Sequence, residues 1–358
     1  MSKNVTAARK DNMEDKKLLN KFLKITPFIC AMMVVGIHSY NAGEINQLSL
    51  TARIEGSLSH GLFTAAVPIF FFLSGYLFFR NAESIKDVIK KQKRRVKSIG
   101  IPFLMWSTFY YLFYAITTRL VPGLMNTRVD VSLTGILKGI FFYEYVFPMW
   151  FMFQLILYTI LTPIIFAILK NKKLSIILCI FMVILGVTER DFVVSIASKD
   201  RAIFQANYFS YYFIGCLAAR NKKIFLNIIN FLSKLHTCLI GGLLIVFSIL
   251  EGYAFDVWSI FNKRIFIPII AVLTFILLLK ISRKMQNEEL FISKIPTMIV
   301  YGLHPLIGLI VGKTLGILNL HSLVCYVIGF IFSAVITCFL ALLLRKNKLL
   351  NLLFNGDR

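Results

Sequence analysis

Two histidines lie in apolar stretches long enough to reach bilayer depth. His38 closes Ile25-Thr-Pro-Phe-Ile-Cys-Ala-Met-Met-Val-Val-Gly-Ile-His38, and His304 sits in Met298-Ile-Val-Tyr301-Gly-Leu-His304-Pro305. A charged side chain at the centre of a bilayer helix costs about +2.5 to 3.5 kcal/mol on insertion scales, so ionisable groups there point to function. Imidazole takes and returns a proton near neutral pH, as a general base must, and it can carry an acyl group as a nucleophile. Tyr301 and His304 are three apart and share a helix face, and Pro305 breaks backbone hydrogen bonding beside them. The plainer alternative for each histidine is a ring at the water interface or one satisfied by a neighbouring helix. Glu144, in Tyr143-Glu144-Tyr145-Val-Phe-Pro-Met-Trp150, is expected at the depth of His38. A carboxylate there could orient an imidazole and stabilise its protonated form. Tyr143, Tyr145 and Trp150 also fit an interfacial aromatic belt.

Two further stretches bear on a reaction. Between Lys86 and Lys97 stand Lys90, Lys91, Lys93, Arg94 and Arg95, directly before Ile99-Gly-Ile-Pro-Phe-Leu-Met-Trp106. Such a run anchors a helix to anionic lipid, yet its density exceeds what orientation requires. A basic patch at the mouth of a helix bundle suits a phosphate-rich donor such as a coenzyme A thioester. The planar fork of arginine favours Arg94 and Arg95 over the lysines. In Val67-Pro68-Ile-Phe-Phe-Phe-Leu-Ser74-Gly75-Tyr76, Ser74-Gly75 reads first as a packing notch for another helix. Pro68 frees a backbone carbonyl that could face a cavity.

The elements that must position these residues are membrane helices. The 358 residues are 58% hydrophobic and 16% charged, with a mean hydropathy of +0.75, far more apolar than a soluble domain. The apolar runs approach the ~20 residues needed to cross a ~30 Å hydrocarbon core as helix. Weak period-2 alternation and long Leu, Ile and Phe runs argue against a transmembrane β-barrel. The expected fold is therefore all-α and polytopic, with about ten spans near 22–42, 61–80, 98–120, 144–169, 174–190, 204–220, 237–253, 264–282, 295–313 and 321–344. Lys and Arg number 30 on the side holding the termini and 10 on the other, which places both termini in the cytoplasm. The ten-helix domain spans 22–344, flanked by cytoplasmic tails at 1–21 and 345–358. The net charge of +23 follows from this bias and does not mark a nucleic-acid binder.

The six cysteines are scattered through the spans without CxxC or CxxH spacing, so neither a disulfide framework nor a metal site is expected. The first span reads as a retained helix, not a cleaved leader. Charges in the opposite loops (Glu44, Arg53, Glu55, Asp130, Glu189, Arg190, Asp191, Lys199, Asp200, Arg201, Glu251 and Asp256) read as solvated and receive no role.

Taken together, these pieces resemble acyltransferase family 3, ten-helix bacterial membrane O-acyltransferases of surface polysaccharides, cell-wall polymers and lipid-linked sugars. The matching pieces are Val34-Val-Gly-Ile-His38-Ser, Pro68-Ile-Phe-Phe-Phe-Leu-Ser-Gly-Tyr76 and Arg94-Arg95 before Ile101-Pro-Phe-Leu-Met-Trp106. Met149-Trp150-Phe151, Val300-Tyr-Gly-Leu-His304-Pro305 and, more weakly, Tyr212-Phe-Ile-Gly215-Cys-Leu complete the set. The resemblance covers nearly the whole chain in order. It implies that His38 is catalytic; Glu144 as its orienting partner comes from the reading of the residues. Arg94, Arg95 and Lys24 would bind the donor, while Ser74, Tyr76, Trp150, Tyr301 and His304 line the site. The implied donor is acyl-CoA, acetyl-CoA first, and the acceptor is a hydroxyl of an extracytoplasmic glycan or lipid-linked saccharide. No bound cofactor is implied, and the setting is the bacterial cytoplasmic membrane. Relatives often carry Arg or Lys eleven positions before the histidine; here Pro27 stands there, with Lys24 one turn earlier. The rival reading is a transporter or flippase for a lipid-linked saccharide.

Overall fold

The computed structural model describes residues 2–39, 49–120, 129–187, 203–257, 260–285, 291–318 and 320–356, and among these every regular element is helical. Helix α1 (Ser2–Ile37) contains Pro27 and ends one residue before His38. Helix α2 (Leu50–Gly56), capped by Ser49, runs through a π-turn (Ser57–Gly61) and a 3-10 turn (Leu62–Ala65) into α3 (Ala66–Phe79). Then come α4 (Ile85–Leu120), α5 (Leu133–Phe141), α6 (Trp150–Ile160), α7 (Thr162–Leu169), α8 (Lys172–Val187) and α9 (Ala206–Arg220). The chain continues through α10 (Lys222–Lys234), α11 (Thr237–Val257), α12 (Ile260–Lys284), α13 (Thr297–Ile317), α14 (Ser322–Lys346) and α15 (Lys348–Asn355).

Among the described residues six stretches are long and apolar enough to cross a membrane: Lys16–Ile37, Leu50–Phe79, Ile85–Leu120, Phe266–Lys284, Thr297–Ile317 and Ser322–Lys346. Counting two bent pairs as single spans gives eight: α6 with α7, bent by 55°, and α10 with α11, bent by 92°. This is below the ten expected from sequence. The expected spans at 174–190 and 204–220 are carried by α8 and α9, of 16 and 15 residues. At 1.5 Å per residue they cover only about 22–24 Å of a ~30 Å core. The second span differs in the other direction. Its helix starts at Leu50, not at 61, so residues expected in a solvated loop are drawn into the bundle. Glu55 is fully buried and accepts a 2.6 Å hydrogen bond from Ser322, and Glu251 is also buried. Arg53 and Asp130 are exposed, whereas Glu44, Glu189, Arg190, Asp191, Lys199, Asp200 and Arg201, and the side chain of Asp256, lie outside the described residues.

Lipid tails give no hydrophobic drive for helix association, so close van der Waals fit must hold the bundle. Helices α3 and α9 achieve it with interlocked glycines. A Cβ on Gly75 would strike the Tyr212 carbonyl, and one on Gly215 the Phe72 carbonyl. The notch read from Ser74-Gly75 is thus occupied by α9. Around it Phe71 packs against Phe151, Tyr158, Tyr208 and Trp150 at ring-centroid distances of 4.6, 5.3, 5.6 and 6.2 Å.

Basic side chains cap helix ends on the side of the bundle where both α3 and α12 finish. Lys91 donates to Phe78 O at 3.0 Å, Lys21 to Met285 O at 2.8 Å and Lys280 to Ser233 O at 3.2 Å. Cations suit the partial negative charge of those last carbonyls. On the same side α15 folds back onto α4. Asn347 caps its start, Gly356 closes it at φ +71°, and Phe354 packs on Trp106 at 4.7 Å. A Cβ on Gly356 would strike Ser98 O, so glycine is required there both for the left-handed φ and for the close approach. The six cysteines are free thiols.

Candidate active site

Helix α13 presents His304 through a local break in its own backbone. Pro305 has no N–H to offer the Tyr301 carbonyl four residues back. That carbonyl instead pairs with His304 Nδ1 at 2.7 Å. One residue on, the hydroxyl of Tyr110 enters the ladder from α4, donating to Gly302 O at 2.8 Å and accepting from Leu306 N–H at 3.1 Å. Gly302 is needed for this approach, because a Cβ there would collide with the Trp106 ring. Tyr301 reaches the other way and donates its hydroxyl to Pro148 O, tying α13 to the connection that leads into α6.

His38 sits just past the last turn of α1, its N–H still bonded to Val34 O at 3.3 Å. Its ring lies 5.0 Å from that of His304, centroid to centroid, tilted by 41°. The exposed surface of His38 faces a cavity of about 870 Å³. The walls are apolar for most of their extent and include Trp150, Phe151, Tyr208, Tyr301 and Phe225. Polar groups gather at His38, His60, Thr64, Gln205 and Asn207. Pro68 and Thr64 both line it.

A second cavity of about 530 Å³ lies at the opposite end of α3. Lys91, Arg94, Arg95, Lys97 and Ser98 form one side; Leu77 and Phe78 of α3 and Leu352 and Gly356 of the C-terminal segment form the rest. Helix α3 therefore contributes to both cavities, Val67 and Pro68 to the first and Leu77 and Phe78 to the second. From Phe72, which also lines the first, to Leu77 the helix rises about 7.5 Å.

A family model described as an acyltransferase domain matches residues 21–344. The chain belongs to acyltransferase family 3. Among curated proteins, a 120-residue segment of this acyltransferase is 30% identical to the succinoglycan biosynthesis protein ExoH of Rhizobium meliloti (strain 1021), covering 32% of each chain. The match thus spans about a third of that relative's length. No solved structure matches.

Within the acyltransferase the residues singled out from sequence fall into three groups. His38, Trp150 and Tyr301 line the larger cavity, and His304 is packed against His38. Arg94 and Arg95 line the basic one. Ser74 and Tyr76 are buried in α3, Tyr76 against Phe225 at 5.2 Å, and line neither. Lys24 is exposed and also lines neither. Glu144 is half-buried in the connection whose neighbours Tyr143, Phe147 and Pro148 face the larger cavity. Tyr143 holds a left-handed φ of 46°, a conformation that costs a non-glycine residue of order 1 kcal/mol and that clusters at functional sites. His60 was not singled out, because it sits in a stretch read as loop. The signal was its place at the head of an apolar run, Ser59-His60-Gly61, where the π-turn turns it to the cavity. Among the described residues no group of three His, Cys, Asp or Glu side chains could hold a metal ion.

Proposed function

We propose that the protein moves an acyl group, acetyl in the simplest case, from acyl-CoA to a hydroxyl of an extracytoplasmic glycan or lipid-linked saccharide. The supporting observation is the placement of His38 on the larger cavity while Arg94 and Arg95 line a basic cavity at the other end of the same helix. Arginines match the phosphates of the donor nucleotide in charge and in bidentate geometry. The thioester arm is long and thin and would extend along α3 toward His38. The name of the distant relative, a polysaccharide biosynthesis protein, favours a glycan acceptor.

In this reading His38 removes the proton of the acceptor hydroxyl as its oxygen attacks the thioester carbonyl. The new C–O bond forms, the C–S bond breaks, and the proton passes to the departing thiolate, giving ester and free coenzyme A. Apolar walls keep water from hydrolysing the donor. Glu144, one to four residues from the cavity-lining Tyr143, Phe147 and Pro148, would act on the imidazole electrostatically. We assign the basic end to the cytoplasm of a bacterial cell, with α8 and α9 completing a ten-span topology.

Mass spectrometry of surface glycans and lipid-linked sugars tests the reading in cells making the wild-type chain, His38→Ala, or neither. An acyl mass increment present only with wild type, at equal amounts of membrane-inserted protein, is the expected result. Acylation retained in His38→Ala removes His38 from the chemistry. Unchanged masses with altered glycan export replace the transferase by a flippase.

A further inference from the structure

We propose that His304 is the positioning residue of His38: its Nε2 accepts the N–H of the His38 ring and thereby sets which nitrogen of His38 faces the acceptor hydroxyl. The inference deepens the function proposed above and rests on it for the identity of the reaction.

Its basis is the backbone break at Pro305. The Tyr301 carbonyl can only accept, so the 2.7 Å contact with His304 Nδ1 requires the proton on Nδ1. In a neutral imidazole Nε2 then carries the lone pair. His304 is 1% exposed, and among the described residues its Nε2 has no hydrogen-bond partner. A buried acceptor in that state has given up its hydration without gaining a partner. The adjoining aromatic ring that can supply a donor is His38, at 5.0 Å between centroids. Tyr301 packs on the other side of His304 at 5.5 Å, but its hydroxyl is engaged by Pro148 O.

The consequence for catalysis is directional. With one His38 nitrogen donating to His304, the other has a bare lone pair, and the cavity is where the exposed part of the ring lies. When that nitrogen takes the hydroxyl proton, the resulting imidazolium keeps its hydrogen bond to His304 Nε2 and is stabilised by it. This is the orienting part of a catalytic triad, filled by an imidazole. His304 touches neither donor nor acceptor in this scheme.

The test is nitrogen-15 NMR of the full chain in lipid nanodiscs with labelled histidine. There are five histidines, and His38→Gln and His304→Gln assign the two resonance sets. The expected wild-type spectrum shows His304 protonated at Nδ1 and a single tautomer for His38. In His304→Ala the His38 signals should divide between two tautomers. His304 protonated at Nε2 in wild type, or a His38 tautomer unmoved by His304→Ala, overturns the proposal. Transfer from radiolabelled acetyl-CoA to the membrane glycan fraction gives the second readout. His304→Ala should lower kcat about 10²-fold, the scale of a general base's contribution, with KM within about twofold. His304→Gln, whose amide oxygen can accept the same N–H, should recover much of that loss. Absence of transfer by wild type counts against the proposed function, while the tautomer measurement still decides the pairing.

Discussion

Tyr110 fills the gap that Pro305 opens in α13. Its hydroxyl donates to the Gly302 carbonyl and accepts from the Leu306 N–H, one residue along from the hydrogen bond that Pro305 cannot make. Tyr110→Phe should remove both hydrogen bonds and lower stability by about 1–3 kcal/mol, from about 0.5–1.5 kcal/mol for each, read as a fall in the thermal midpoint of detergent-solubilised protein. The same change should loosen the segment holding His304. At this scale the sequence was most legible where a residue type is rare at bilayer depth. His38 and His304 stood out for that reason, and they meet. Glu144 stood out too, but a carboxylate's depth says nothing about which ring it faces. His60 escaped notice because its neighbours Ser57, Ser59 and Gly61 are small and polar enough to read as loop.

Elements were legible in kind but not in bounds. Long Leu, Ile and Phe runs announce helices, and prolines at 27, 68, 102, 268 and 305 did not end them. The π-turn at Ser57–Gly61 has no local signature. It is stabilised by tertiary approach, with Gly61 lying under Ser248 and Gly252 under Ser57, contacts that join segments almost two hundred residues apart. By charge and position the C-terminal stretch reads as a tail. Yet Asn347 before a Leu-rich run and Gly356 after it are the start and stop signals of a short helix. The α3–α9 contact offers a direct test. Gly215→Val puts two methyl groups into the Phe72 carbonyl and must drive the helices apart. The expected loss is at the upper end of the 1–3 kcal/mol typical of overpacking or beyond, seen as reduced yield of monodisperse protein. Gly241→Val, where a Cβ meets nothing within 4 Å, should leave yield unchanged.

Across the whole molecule the two cavities divide the labour by chemistry: cations and a C-terminal wall at one end, imidazoles and aromatics at the other. Several cations on the basic side already cap helix carbonyls, Lys91 among them, so Arg94 and Arg95 carry the expected donor affinity. Because that affinity is electrostatic and the pocket opens to solvent, KM for acyl-CoA should rise roughly threefold or more from low salt to an ionic strength of about 0.5 M, where screening is strong. Steady-state kinetics at graded salt concentrations check this, with little change expected in kcat. The span count was the least legible feature, since short helices such as α8 and α9 differ from full crossings by a single turn.

The pairing of His38 with a second imidazole has an electrical consequence. A carboxylate holding the catalytic ring would keep a fixed charge within the transmembrane field, where each elementary charge moved across 100 mV is worth about 2.3 kcal/mol. Two neutral rings at rest present no such charge. The proton taken from the acceptor returns to the thiolate at the same depth, so a complete cycle at this centre moves no net charge across the field. An energised membrane and a depolarised one would then drive the histidine step equally, leaving any voltage dependence to the binding of the anionic donor at the basic cavity.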